Sequence, residues 1–216
     1  MTSSSSMSDR LTWAVLILVL LGAGVAWAWR AVLFVPEPEP ALAIAAPVAF
    51  PEFTLTERSG RSVSRAELLG EPWVANFVFT SCAGPCPVMS RRMSDLQRAF
   101  ADCSLRFVSF TLDPQRDTPA VLTEYAERFD ADPDQWLFLT GDEDTIQGLA
   151  QQGLKLTARR ATDAELEQGA DTIIHSTRFV LIDAAGHLAG SYIGTDDDDL
   201  DRLHRDLGAL CRSDGR

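Results

Sequence analysis

The most constraining feature of this sequence is a turn that carries two cysteines between a strand pattern and a helix pattern. Residues 73–79 (WVANFVF) are mostly β-branched or aromatic, which is typical of a buried strand. The apolar spacing over residues 88–100 predicts an amphipathic helix, and Pro87 fits its first position, where a missing N–H costs no hydrogen bond. Cys82 and Cys86 therefore lie on a strand-to-helix turn. Cys86 is at the helix N-terminus, whose partial positive charge favours thiolate over thiol.

A thiolate pair in this position can act as a redox nucleophile, ligate a soft metal or form a structural disulfide. Structural pairs are rare at a helix N-terminus beside a Gly-Pro turn such as residues 84–85. Thioredoxin-type redox motifs have two residues between the cysteines, whereas residues 83–85 provide three. The longer spacing lets both sulfurs turn toward one point outside the loop. It suits a shared metal at least as well as a strained, easily reduced disulfide.

Length and charge limit the class of protein. The 216 residues accommodate one domain of about 160 residues and additional segments. The formal net charge of −12 argues against a nucleic-acid partner, which requires clustered Lys and Arg. We expect the acidic run at residues 196–199 to cap a helix N-terminus and not to bind a cation.

The N-terminal region predicts a membrane anchor. Residues 1–10 are Ser-rich and are predicted to be disordered. Residues 11–29 contain no charge and would span roughly 28 Å as a helix, so we predict a transmembrane anchor over residues 11–35. This stretch is long for a cleaved signal peptide, which favours an uncleaved anchor. A Pro-rich linker at residues 36–49 then leads to a domain over residues 50–216.

Strand and helix patterns alternate through this domain. A small hairpin is predicted around residues 59–60, and Thr118 and Pro119 are expected to start a helix. Further strands are predicted at residues 105–112, 136–139, 177–182 and 187–193, and helices at residues 142–154 and 200–210. This order predicts an α/β fold, a three-layer sandwich of the thioredoxin type, with the N-terminal transmembrane helix outside it.

Five segments, in this order, resemble the Sco/SenC family of membrane-anchored copper-binding proteins. They are residues 76–82 (NFVFTSC), Cys86-Pro87, Asp113-Pro114 with residues 116–119, residues 136–141 (WLFLTG), and His175 ahead of residues 179–183 (FVLID). The resemblance covers about residues 50–210. It implies a copper carrier, not primarily an enzyme, that delivers copper to cytochrome c oxidase. Its partner would be the copper-site subunit or another copper carrier. It also implies a single-pass protein of a bacterial inner membrane with its domain in the periplasm.

By this resemblance Cys82, Cys86 and His175 are the copper ligands. Two thiolates select soft Cu(I), and an imidazole is acceptable to Cu(II) as well, so this set tolerates both oxidation states. Asp113 is a candidate hydrogen-bond acceptor that orients a ligand, or it satisfies the turn before Pro114. Residues 83–85 lack the acidic residue that many members carry, which affects the charge of the site more than its ligand set.

Other soft-metal ligands have simpler interpretations. We expect His187, in a hairpin turn, and His204, on a helix flank, to face solvent. Met89 and Met93 share the helical spacing of an apolar stripe, so we expect them to pack in the core and not to bind copper.

Two redox activities remain as alternatives. A thiol–disulfide oxidoreductase would use Cys82 and Cys86 as its catalytic pair, but no proline occurs from residue 134 to 216. Thioredoxin-like disulfide enzymes resemble one another in a cis-proline in that region. A thiol peroxidase is suggested by Thr80, but those enzymes place Thr three residues before the reactive Cys, where this chain has Phe79.

The two remaining cysteines follow the thiol helix and end the last helix. In a thioredoxin-like sandwich these helices pack on the same face of the sheet, so Cys103 and Cys211 could approach each other. An oxidising compartment permits a disulfide between them. The alternative is two independent, partly buried thiols.

Overall fold

The computed structural model describes residues 48–153, 158–160, 173–175 and 177–214, together with Trp13 and Ile17. The chain divides into two units, residues 1–43 and 44–216. Apart from Trp13 and Ile17, which are helical and exposed, the predicted tail, the predicted anchor at residues 11–35 and most of the linker lie outside the described residues. Within the described part of the chain, no helix has the length and hydrophobicity required to cross a membrane.

Within the described residues, nine short strands form two sheets. In chain order they are β1 (Thr54–Glu57), β2 (Ser62–Ser64), β3 (Trp73–Val78), β4 (Arg106–Thr111), β5 (Trp136–Thr140), β6 (Ala158–Arg160), β7 (Ile173–His175), β8 (Arg178–Ile182) and β9 (Leu188–Ile193). Seven of them form the main sheet, in the order β2-β1-β5-β4-β3-β8-β9. Its centre, β5-β4-β3, is parallel, and antiparallel strands extend it on both sides. β6 and β7 pair separately as an antiparallel ribbon.

The parallel centre requires helical crossovers, because consecutive parallel strands cannot be joined by a tight turn. The described helices are α1 (Pro85–Ala99), α2 (Pro119–Glu127), α3 (Glu143–Gly148) and α4 (Asp197–Asp214). α1 connects β3 to β4, and α2 connects β4 to β5. As a result, the loops that leave β3 and β4 both start at the same edge of the sheet.

Helices cover both faces of the main sheet. One apolar cluster joins the sheet to α1, α2 and α4, through side chains such as Met93, Leu122 and Leu203. The other joins it to the N-terminal segment and α3, through Phe53 and Ile146 among others. The predicted three-layer α/β sandwich is therefore confirmed for the described domain.

Local predictions agree with the structure except at two points, the start of α1 and the β6–β7 ribbon. The small hairpin forms between β1 and β2, the Thr118 side chain caps α2, and Asp196 accepts a hydrogen bond from the backbone of Asp199 at the start of α4. The prediction that α1 starts at Pro87 is wrong: α1 begins at Pro85. The helix predicted over residues 142–154 forms in two consecutive parts, α3 and then a π-helix at Leu149–Gly153. The β6–β7 ribbon was not predicted.

Candidate metal centre

The two thiols lie on the turn between β3 and α1. Cys82 is 6% exposed and Cys86 is fully buried, and both are thiols. The Cys82 amide donates to the Phe79 carbonyl at 3.1 Å, which closes the turn directly after β3. Because α1 begins at Pro85, Cys86 is its second residue. Pro85 and Pro87 lack N–H groups that the first turn of a helix leaves unpaired in any case, so both are tolerated beside the thiols.

A short stretch of chain separates these sulfurs from solvent. Ser81, Ala83 and Gly84 are exposed, whereas the cysteines between and beyond them are buried. No side chain caps the N-terminus of α1, so the positive end of this helix is available to a negative group at the turn. The thiols are thus shielded from water but lie close beneath an exposed loop, which suits a site that receives and releases a metal.

Asp113 follows the end of β4, close to the thiol turn. The parallel register sets Val78 opposite Thr111, and the Leu112 amide donates to the Val78 carbonyl at 2.8 Å. Asp113 is buried, and its Oδ2 lies 3.8 Å from Nε of Arg116. Its backbone carbonyl accepts from the amides of Arg116 and Asp117, so main-chain atoms close the turn before α2. Both roles predicted for the Asp113 carboxylate, orienting a ligand and satisfying this turn, stay predictions.

Sequence reasoning missed the role of Asp117, the residue before the α2 cap. Its side chain is fully buried. Oδ2 accepts from the Thr80 amide at 3.1 Å, and Oδ1 accepts from the Thr80 hydroxyl at 2.5 Å. The Thr111 hydroxyl also donates to Oδ2. The sequence signals were its place directly before a Thr-Pro helix start and its position in the family-like segment 116–119.

A buried pair of hydroxyl groups adjoins the thiols. Tyr125 of α2 and Ser90 of α1 are buried, and their hydroxyl oxygens lie 2.8 Å apart. Burial raises the pKa of Tyr125 far above its usual value, and the hydrogen bond with Ser90 opposes this rise. Negative charge on Cys86 and Cys82 raises this pKa further. The phenol therefore keeps its proton and remains a neutral neighbour of the two sulfurs.

The predicted third ligand precedes a strand that starts at the same edge of the sheet. β8 runs antiparallel to β3, with Val180 opposite Ala75, so the chain entering β8 passes the edge where β3 ends. His175 ends β7, two positions before Thr177. Its side chain lies outside the described residues. Among the side chains that are described, no three His, Cys, Asp or Glu residues form a group able to hold a metal. The complete ligand set therefore stays a prediction.

The other candidate ligands lie elsewhere. His187 is half-buried at the far end of the β8–β9 hairpin, with Nδ1 3.5 Å from Oδ2 of Asp183. His204 is exposed on α4 and packs against the ring of Phe100. Met89 and Met93 are fully buried in the core, as predicted.

Cys103 and Cys211 are joined by a disulfide in this structure, with Cα atoms 5.6 Å apart. The bridge links the chain just after α1 to the last turns of α4. Both helices pack on the same face of the sheet, in the arrangement that the fold predicted. The four cysteines therefore divide into a thiol pair and a bridged pair.

Comparison with known proteins identifies the family. A family model described as SCO1/SenC matches residues 44–209. The chain belongs to the SCO1/SenC family. It is 32% identical to the SCO1 protein homolog of Bacillus subtilis over 158 residues. This aligned region covers 72% of this chain and 79% of the relative.

Solved structures of similar proteins agree with this assignment. One is BsSco, described as a member of the Sco family of cytochrome c oxidase assembly proteins, in which a disulfide switch was identified. It matches with a TM-score of 0.64 at 30% identity, over 77% of this chain and 95% of that one. Another is Bradyrhizobium japonicum ScoI with copper bound, with a TM-score of 0.60 at 25% identity, over 73% and 98% of the two chains. A family member with this fold thus binds copper.

Proposed function

We propose that this chain is a membrane-anchored copper carrier that delivers copper to cytochrome c oxidase during assembly of the respiratory enzyme. The observation that carries this proposal is the pair of shielded thiols on one strand-to-helix turn, Cys82 and Cys86, in a member of the SCO1/SenC family. Residues 11–35 would hold the domain at a bacterial inner membrane, on its periplasmic side. The recipient would be the copper-site subunit of the oxidase or another copper carrier.

The chemistry of the residues supports copper as the cargo. Two thiolates are soft ligands that favour Cu(I), and the His175 imidazole would complete a set that also accepts Cu(II). The buried surroundings of Cys82 and Cys86 limit access of water to the bound ion. The covering residues 83–84 are exposed, so a local displacement of this loop would be enough to bring a ligand of the recipient to the sulfurs.

A second candidate is a thiol–disulfide oxidoreductase that keeps a cysteine pair of the copper recipient reduced. It is favoured by one observation: both thiols lie on the same turn, with three residues between them. Their oxidation to a disulfide would release two electrons and two protons to a disulfide substrate. This candidate predicts activity of the metal-free dithiol form, whereas a carrier must bind copper to act.

Copper titration of the reduced protein tests the first candidate. We expect one copper per chain and, with Cu(II), a thiolate-to-copper charge-transfer absorption band. The substitutions Cys82→Ser and Cys86→Ser should each abolish the band, and His175→Ala should weaken Cu(II) binding more than Cu(I) binding. Absorption and EPR spectra at each step provide the measurement.

The matched control is the variant Cys103→Ser/Cys211→Ser, which removes the other two sulfurs and should retain the band. Undiminished Cu(II) binding by a Cys82→Ser/Cys86→Ser variant would contradict the proposal. If the reduced protein binds no copper but reduces a disulfide in a two-cysteine peptide, the oxidoreductase replaces the carrier as the function.

A further inference from the structure

A single buried carboxylate connects three segments next to the thiols. Asp117 accepts hydrogen bonds from the amide and the hydroxyl of Thr80, at 3.1 and 2.5 Å, and from the hydroxyl of Thr111. Thr80 lies two positions before Cys82, and Thr111 ends β4. Asp117 itself precedes the first turn of α2. The thiol turn, a central strand and a helix therefore meet at one side chain.

The burial of this charge requires compensation. An ionised carboxylate without partners is strongly disfavoured in a protein interior. Three donors surround the Asp117 carboxylate, and hydrogen bonds to an ionised acceptor are stronger than those between neutral groups. Its place directly before the N-terminus of α2 adds the favourable end of the helix dipole. Two of the three donors belong to Thr80, so the Asp117 carboxylate loses most of its hydrogen bonds if the thiol turn undocks.

The same network holds the loop that carries Asp113. The Asp117 amide donates to the Asp113 carbonyl at 2.8 Å. The Asp113 amide donates to the Thr111 hydroxyl at 3.0 Å. The position of Cys82 and the position of Asp113 are consequently fixed relative to each other by the groups around Asp117.

We propose that Asp117 is a positioning residue, which holds the Cys82 turn in its ligand-binding geometry before copper arrives. This inference rests on the proposed function as a copper carrier. A preformed turn avoids the cost of ordering a ligand loop on binding, so its loss should chiefly weaken retention of the metal. The ligands themselves are unchanged in an Asp117 variant, and the charge-transfer band should persist.

The metal-free protein provides the first test. In the Asp117→Asn variant we expect amide hydrogen exchange at Thr80 to accelerate about tenfold or more, since its acceptor loses its charge. The matched control is Ser109→Ala. It disrupts another buried polar contact of β4, in which Ser109 hydrogen-bonds Asn76 and Trp136. This control should leave exchange at Thr80 unchanged.

Copper release provides the second test. We expect the Asp117→Asn protein to lose copper to an added chelator about tenfold faster than the wild type, with its band retained. Thr80→Val, which removes one of the three donors, should also accelerate release. Thr80→Ser keeps the hydroxyl and should restore the wild-type rate. If Asp117→Asn fails to fold, the comparison of Thr80→Val with Thr80→Ser tests the positioning role instead.

Wild-type exchange and wild-type copper release in Asp117→Asn would overturn the proposal. Equal acceleration in Ser109→Ala would also overturn it, because the effect would then follow stability alone. If the wild-type chain binds no copper, the proposed function fails. The exchange measurement on metal-free protein would still decide whether Asp117 positions the thiol turn.

Discussion

Single side chains around the thiols are buried, polar and held by partners that are far away in sequence. Tyr125 illustrates the effect: burial keeps its phenol protonated, so it adds no charge beside the two sulfurs that, in the proposed function, would bind metal as anions. Its partner Ser90 lies one turn after Cys86 on α1. The same contact that joins α2 to α1 therefore also supplies a neutral boundary to the metal centre.

A charged residue also links the first turn of α4 to the end of β9. Asp199 accepts a hydrogen bond from the Ile193 amide at 2.6 Å, and this bond lowers the pKa of the Asp199 carboxyl below its ordinary 3.8. Because the pKa of Asp199 is lower in the folded protein, its charged form stabilises the fold fully above the ordinary pKa of 3.8. This contribution is lost as the pH falls through the lowered pKa. We expect Asp199→Ala to lower the free energy of unfolding by about 1 kcal/mol at pH 7, and by less below pH 4.

Denaturant unfolding at pH 7 and at pH 3 measures this difference. Asp198→Ala is the matched control, since it removes the same charge from an exposed neighbour in the same acidic run and should change stability little. A cost of Asp199→Ala that is equal at both pH values would contradict the assignment.

At the residue scale, the sequence predicted the roles of residues whose partners are close in the chain. It did not predict the roles of residues whose partners are far away in the chain. The turn of Cys82 and Cys86 follows from adjacent strand and helix patterns. Asp117 and Tyr125 do not, because their partners are 37 and 35 positions away. Neither periodicity nor local propensity carries information about such contacts before the sheet register is known.

At the scale of elements, the two cysteine pairs lie at opposite ends of one helix. Cys86 is near the start of α1, and Cys103 follows its end. The alternation of strand and helix patterns predicted this geometry in outline, since a helix between parallel strands must run back along the sheet. The exact first residue of α1 was missed because Pro85 and Pro87 are both acceptable in a first helical turn, and the sequence alone does not choose between them.

The bridge between the ends of α1 and α4 has a measurable contribution. Its cysteines are separated by 108 positions, and removing the cross-link should lower the free energy of unfolding by up to about 4–5 kcal/mol. We expect Cys103→Ser, Cys211→Ser and the double variant to lose similar amounts, because each removes the same bond. Denaturant unfolding of the three variants checks this.

Mass analysis of unreduced protein after proteolysis identifies the bridge directly. The expected result is a linked peptide that contains Cys103 and Cys211. Two alkylatable thiols at these positions in freshly isolated, unfolded protein would contradict it.

At the scale of the whole molecule, the proposal requires a defined orientation in the membrane. A disulfide and a copper site are both compatible with an oxidising compartment outside the cytoplasm. We therefore expect the domain, and with it the C-terminus, to lie on that side. A reporter enzyme that is active only outside the cytoplasm should be active when fused after Arg216.

The control is a fusion of the same reporter after Arg10, ahead of the predicted anchor, which should be inactive. Activity of only a cytoplasm-restricted reporter after Arg216 would show that the orientation is reversed. Copper delivery to an oxidase site outside the cytoplasm would then be untenable.

The bridged cysteines also determine the order in which this chain must be oxidised during folding. Four cysteines permit three complete pairings, and in an unfolded chain loop closure favours close partners over partners 108 positions apart. Cys86 and Cys103, only 17 positions apart, would pair more readily. We therefore expect the native bridge to form after α1 and α4 have packed together, through side chains such as Leu96 and Leu207. By that stage Cys82 and Cys86 are buried, so late oxidation spares the thiols that would carry copper.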